Sequence, residues 1–326
     1  MLTRSRLFAL AIAPVGLASL LPVIPLPKST GILPGELFIP PNVTSAFPSC
    51  GQCHNSRPNA NGRVTVALTP FARVLDAGAK VPVNVRVLGG PTGGLAGFSM
   101  ATDRGSFQAG SNTRTTSNGD AITHADKFGN NWNFSYKAPT SPGLVQWTAV
   151  GQSVNANNNP AGDSWGFHGP DSSKPGVPLQ MYVNAPSVTA LRGGCAGSDG
   201  HVPLLGARVS ATIASRFVTE CYAAPVGVSV FCALGDSSRS FGNLPLPFDL
   251  AAIGAKGCFV QANHLVVQRA TTSGSGSGGG SAQFAWPVPN KPKLRGLDIY
   301  FQGFVFDPKA NRLGVTVTNG LRVRIR

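Results

Sequence analysis

The sequence predicts an all-β protein built from two β-sandwich domains, and three observations lead there. Apolar residues alternate with polar ones over short runs: Val81, Val83, Val85 and Val87 share one face, and Trp132, Phe134 and Tyr136 share another. The 40 glycines and 27 prolines supply many turns, while charged residues make up only 12% of the chain. Helical periodicity is nearly absent. Only residues 69–79, with Pro70 near the start and Gly78 near the end, read as a short helix, and they read equally as an irregular strand connection. A chain of 326 residues is long enough for two domains, each with its own core.

Taken in order, the chain opens like an exported precursor. Arg4 and Arg6 precede the uncharged, largely apolar residues 7–26, which Pro14, Pro22 and Pro25 interrupt. Residues 1–26 therefore read as a signal peptide or N-terminal anchor rather than a spanning helix. The first sandwich is expected over residues 27–185, where Val145, Trp147 and Ala149 continue the alternation and residues 89–94 and 155–160 form turns. A boundary falls near Asn184-Ala185-Pro186-Ser187, and a second, jelly-roll-like sandwich is expected over residues 190–326. Its strands are expected at 207–218, 227–234, 297–306 and 313–325, with the Gly/Ser-rich residues 271–281 as a loop. In the last strand Leu321, Val323 and Ile325 point inward and Arg322, Arg324 and Arg326 outward, a basic face that discourages edge pairing.

The segment richest in chemistry is Cys50-Gly51-Gln52-Cys53-His54. It reads C-x-x-C-H, the attachment sequence of a covalent c-type haem. Two thiols at this spacing reach the two vinyl groups of a porphyrin, and the following histidine ligates the iron from below. A redox disulfide, half a zinc site or a structural loop are the plainer readings. The other cysteines, Cys195, Cys221, Cys232 and Cys258, form no second C-x-x-C to complete a zinc site, and the flanking prolines Pro48 and Pro58 argue against a strand-to-helix redox turn. The expectation is one covalent haem c held by Cys50 and Cys53, with His54 as proximal ligand.

Two family resemblances follow from longer stretches. Cys50 to His54, Gly97-Phe98-Ser99-Met100, Ile122-Thr123-His124, Trp132-Asn133-Phe134-Ser135-Tyr136-Lys137-Ala138-Pro139, Val154-Asn155 and Gly162-Asp163 together resemble the Reeler-like domain of bacterial surface proteins (the "choice-of-anchor V" group). This resemblance covers residues 45–182 and implies an immunoglobulin-like sandwich with C-x-x-C-H at its start. Gly194-Cys195-Ala196-Gly197-Ser198, residues 244–250, Gly257-Cys258, residues 300–308 and Leu313-Gly314 look like a C-terminal β-domain of exported planctomycete-type proteins. That resemblance implies a surface or interaction module.

Iron held by His54 has one further axial position. His124 is the expected distal ligand, because it falls at the Thr-His of the Reeler-like pattern, and Met100 is the alternative. His168, in Gly166-Phe167-His168-Gly169-Pro170, reads as an exposed loop residue. Four cysteines remain for disulfides, as expected outside the cytoplasm. Arithmetic alone allows three pairings. Cys195 and Cys258 both follow glycine within the resembling segments, which suggests they pair. Cys221 and Cys232 flank Ala224-Pro225-Val226-Gly227, a reversal that suggests a second bridge across a hairpin.

Other chemistry is missing from the sequence: there is no H-E-x-x-H, G-x-x-x-x-G-K-[ST] or G-x-S-x-G motif. Asp163, Asp171 and Asp199 sit in Gly/Asn-rich loops and read as turn residues, with calcium ligation as the sharper alternative. The net charge of +14 is spread over single cations, without the Lys/Arg runs of a nucleic-acid binder. The expected function is an extracytoplasmic monohaem cytochrome, an electron carrier rather than an enzyme, exchanging electrons with a redox partner protein or an extracellular acceptor. Cell-surface attachment and self-association are left open, and no nucleic acid is expected. The competing readings are an adhesive or structural surface protein and a haem enzyme or sensor with an open iron site.

Overall fold

The computed structural model describes residue 33 and residues 57–70, 72–91, 95–126, 129–157, 159 and 161–326. The expected leader and the Cys50, Cys53 and His54 pentapeptide lie outside the described residues.

Strands before Ala185 pair only with one another, as do those after Ser187, so each half of the chain closes its own sandwich. The first contains β1 (Val64–Pro70), β2 (Val74–Asp76), β3 (Lys80–Gly89), β4 (Leu95–Thr102), β5 (Ser106–Gln108), β6 (Thr113–Thr115), β7 (Ala121–His124), β8 (Asn131–Lys137), β9 (Gly143–Val154), β10 (Ser164–Phe167) and β11 (Leu179–Asn184). One sheet runs β1-β3-β8-β5. The other runs β2-β11-β9-β4-β7-β6, with β10 also on β9. None of the described residues of 69–79 is helical: β2 adds in parallel to β11, placing Leu75 beside Val183, and Gly78 turns the chain at a positive φ of 72°.

The alternation read from sequence sets the faces. Val81, Val83 and Val85 stand opposite Tyr136, Phe134 and Trp132 in the β3–β8 ladder, all turned inward. They meet Val145, Trp147 and Ala149 of β9 from the other sheet. Trp147 is packed edge-on to Tyr136 at 4.8 Å between ring centroids and lies 5.4 Å from Phe107. Truncating it to alanine would cost about 3–5 kcal/mol, the usual range for a buried aromatic.

The second sandwich contains β12 (Val188–Ala190), β13 (Leu204–Gly206), β14 (Arg216–Ala224), β15 (Ser229–Gly235), β16 (Ser240–Phe241), β17 (Leu244–Pro245), β18 (Phe248–Asp249), β19 (Phe259–Val260), β20 (Val266–Thr271), β21 (Gly280–Pro287), β22 (Asp298–Phe306) and β23 (Val315–Arg324). Five strands in the order β12-β23-β22-β15-β20 face three in the order β13-β14-β21. The expected strand at 207–218 is displaced. Pairing starts earlier, at Leu204, and resumes at Arg216, because the backbone at Ala207 is bonded to Ala185 and to the Asn184 side chain instead. β23 keeps Leu321, Val323 and Ile325 inside and its arginines outside, but it lies within the sheet, flanked by β12 and β22.

The Cys195–Cys258 disulfide is present, with Cα atoms 5.0 Å apart, and packs into a satellite core with Leu250, Ala255, Val260 and Val317. The second expected bridge is absent: Cys221 and Cys232 are free and buried. The reversal at residues 225–227 is not a hairpin. It carries the chain from the three-stranded sheet to the five-stranded one, so the thiols approach from opposite sheets. The Cys232 thiol meets the Thr219 hydroxyl at 3.6 Å instead.

Candidate functional site

The site grows from the place where β7 stops pairing with β4 while its other edge still pairs with β6. The β4–β7 ladder ends at Ser99 and Thr123. One residue on, the His124 side chain takes over the edge of β4. Its Nδ1 lies 3.1 Å from both the amide N and the carbonyl O of Phe98. The Thr123 hydroxyl donates to the same carbonyl. The ring rests against Gly97, where an added Cβ would lie 2.4 Å from Cε1 and 2.8 Å from Nε2. Only glycine leaves room for the imidazole there.

Burial pulls the His124 pKa below its ordinary value, against the opposing pull of the Phe98 carbonyl and Asp126, so the ring is neutral at pH 7. A neutral imidazole has two tautomers. With the proton on Nε2, Nδ1 accepts from the Phe98 N–H. With the proton on Nδ1, the ring donates to the Phe98 carbonyl and Nε2 keeps a free lone pair. The second arrangement is the one a ligating histidine uses, its far nitrogen oriented by a carbonyl. By this test the donor chemistry of His124 fits an iron ligand.

The ring lies 6.0 Å from Trp132 and 6.3 Å from Phe98 between centroids, at the edge of the core, and its Gly97 seat can be followed across the sheet. Gly97 stands opposite Gln152 of β9, and Gln152 stands opposite Trp165 of β10. Directly paired residues share a face. Phe98 and Met100 point into the core, so Gly97, Gln152 and Trp165 belong to the outer face. On that face Trp165 packs edge-on to Phe167 at 5.2 Å, over the buried Val150 and against Ala101. Two inter-strand steps of about 4.8 Å separate Gly97 from Trp165. The Trp165 carbonyl accepts the Asn59 amide at 2.8 Å, which ties residue 59 to β10.

The other candidates fall elsewhere. Met100 is fully buried between the sheets, on the face opposite Gly97. His168 is half-buried rather than exposed as expected, because the loop folds back onto β1 and its Nδ1 lies 2.7 Å from the Val66 carbonyl. That contact makes Nδ1 the donor and leaves Nε2 with its lone pair, so His168 is a second potential ligand. Burial holds its pKa down as well. Asp163 accepts the Asn155 amide, Asp171 caps Ser173 and pairs with Lys174, and Asp199 accepts the His201 amide, all turn contacts. Among the described residues no three His, Cys, Asp or Glu side chains are grouped to hold a metal ion.

Gly97 and Trp165 were not identifiable as site residues from sequence periodicity. Their role depends on register, which joins residues 97, 152 and 165 into one row.

No protein-family profile and no curated protein matches the chain. Among solved structures, it is similar to the human F-spondin reeler domain (fragment 2), with 15% identity over 26% of this chain and 76% of that one, at a TM-score of 0.21. It is also similar to the Reelin-N domain of F-spondin, with 13% identity over 40% of this chain and 90% of that one, at a TM-score of 0.26. A mutant Salmonella alpha-2-macroglobulin matches 82% of this chain with 12% identity and a TM-score of 0.24, but the match spans only 15% of that much longer molecule. At TM-scores this low, the class of the protein rests on its own topology: an all-β chain of two sandwiches. Its disulfide is of the kind that persists in oxidising compartments. No helix among the described residues is long and apolar enough to cross a membrane.

Proposed function

We propose that the protein is an extracytoplasmic monohaem c-type cytochrome that carries electrons. In this reading Cys50 and Cys53 form the thioethers, His54 is the proximal ligand and His124 the distal one. The observation that carries it is the row Gly97–Gln152–Trp165, which links the seat of the His124 ring to the strand that holds Asn59. Asn59 is bonded to the Trp165 carbonyl. His54 lies only five residues before it, a tether of at most about 17 Å. That tether keeps the C-x-x-C-H segment within reach of Trp165 and Val150 on the outer face and of the sheet edge where His124 is seated on Gly97.

Each side chain has a task in this reading. The Phe98 carbonyl orients the His124 ring and receives its Nδ1 proton. Gly97 gives the ring its seat, and the half-buried Phe167, backed by the buried Trp165 and Val150, offers apolar area against one side of a planar group. The haem would supply a one-electron couple, placed by two imidazoles below that of a His/Met iron.

The test is expression in a host competent in cytochrome c maturation, followed by haem staining of a denaturing gel and absorption spectroscopy. A stained band supports covalent attachment, and a colourless one overturns the reading. The reduced protein should be low-spin and inert to carbon monoxide. His124→Ala should make it reactive to carbon monoxide, while His168→Ala should leave the spectrum unchanged. The reverse result assigns the distal position to His168. Carbon monoxide binding by the unaltered protein would favour an enzyme or sensor over an electron carrier.

A further inference from the structure

The seam between the sandwiches holds a cavity of about 430 Å³. One wall comes from the start of β2 and the two residues before it, Ala72, Arg73 and Val74, and the other from the second domain, with Leu191, Pro203 and Leu204. The volume falls within the usual range for small-molecule sites, and the lining is mainly apolar. One group breaks the pattern. The Arg73 guanidinium donates from Nε and Nη2 to the Gln180 carbonyl, at 3.0 and 2.8 Å, and from Nη1 to the Val202 carbonyl at 2.8 Å. A guanidinium has five N–H groups, so one on Nη1 and one on Nη2 remain.

No carboxylate among the described residues pairs with Arg73. The ionisable groups that sense its charge are His168 and His201, and burial holds both of those pKa values down. Burial alone pulls the Arg73 pKa to about 10, so it stays cationic at neutral pH. A charge withdrawn from water without a counter-ion is costly, and proteins normally pair it. Its carbonyl partners satisfy hydrogen bonds but cancel no charge.

We propose that this inter-domain cavity binds a small carboxylate with a short apolar chain, its headgroup on Arg73 and its chain along Val74, Leu191 and Leu204. The two unused N–H groups suit a carboxylate, whose planar oxygens match a guanidinium fork. The apolar walls select against a strongly hydrated phosphate. This site is distinct from the outer-face row around His124 and stands whether or not the protein carries haem.

Calorimetric titration of the full chain with hexanoate, hexanol and inorganic phosphate tests it. Hexanoate should bind with one-to-one stoichiometry, at least tenfold more tightly than hexanol or phosphate. Arg73→Met should abolish that preference. Gly193→Leu serves as a second variant: Gly193 lines the cavity, and an added Cβ there meets no heavy atom within 4 Å, so the larger side chain adds bulk at the cavity rim without a clash against the fold. It should weaken hexanoate binding at least tenfold while leaving thermal unfolding unchanged. Absence of hexanoate binding, equal binding of hexanol, or full binding by folded Gly193→Leu overturns the proposal.

Discussion

The Tyr182 hydroxyl, at the end of the first sandwich, donates a hydrogen bond to the Glu220 carboxylate, which is buried within the second. This contact joins the two domains through a polar cluster. Arg208 pairs with the same carboxylate at 3.3 Å, and Gln283 donates to it at 3.1 Å. The Tyr182 ring lies flat against Gly206, where a Cβ would fall 2.2 Å from Cδ1. Burial, and then the Glu220 carboxylate, push the Tyr182 phenol pKa well up, so it remains a donor.

Tyr182→Phe removes that donor and leaves Glu220 with Arg208 and Gln283 alone. Loss of one bond to a buried charged acceptor costs about 1–3 kcal/mol. The urea midpoint should fall accordingly, with an unchanged m-value if the domains unfold together. A midpoint equal to that of the unaltered protein would show that the bond contributes nothing to stability.

Gly97→Ala should displace the His124 ring, because the new methyl carbon would sit 2.4 Å from Cε1. Overpacking of this kind costs about 1–3 kcal/mol. Differential scanning calorimetry should record a lower Tm, and the Gly97→Ala protein loaded with haem should mimic His124→Ala in its spectrum. A normal spectrum would separate the Gly97 seat from the iron.

Acid should weaken the fold through its histidines. His124, His168, His201 and His264 all have pKa values below the ordinary 6.5, with burial the first cause in each case. Below 6.5 the unfolded chain therefore binds more protons than the folded one, and stability must decline as pH falls through that window. Above pH 7 this source contributes no slope. Urea midpoints measured at pH 7.5, 6.5 and 5.5 should decrease in that order below 6.5. His124→Gln should flatten part of the decline.

The disulfide should matter more than its small satellite core suggests. Cys195 and Cys258 are 63 residues apart, and closing a loop of that length restricts the unfolded chain by about 4 kcal/mol in the chain-entropy account. The paired Cys195→Ser/Cys258→Ser variant should lose stability of this order. Chemical denaturation followed by tryptophan fluorescence measures it.

Cys221 and Cys232 should resist alkylation in the native protein. Both are fully buried, and burial pushes the Cys232 thiol up to about 12 and the Cys221 thiol further still. Iodoacetamide followed by peptide mapping should modify neither at pH 8 and both after unfolding. Recovery of a Cys221–Cys232 linked peptide would show that the two thiols are bridged across the sheets rather than free.

The sequence by itself determined the all-β class, because inward valines and aromatics at every second residue of β3, β8 and β9 can only bury one side of a strand. It also determined the inward and outward faces of β23, and the Cys195–Cys258 bridge was readable from the residues around it. Only the tertiary structure decided which strands are neighbours. Periodicity says which way a side chain points, not what it meets across a ladder or a core. The second bridge was misread for that reason: a local reversal looks alike whether it joins paired strands or crosses between sheets, and here β14 and β15 lie in different sheets. The seat of His124 on Gly97, the fold-back of His168 onto Val66, and the meeting of Arg73 with Val202 depend on pairs 27, 102 and 129 positions apart. Long-range packing alone brings such pairs together.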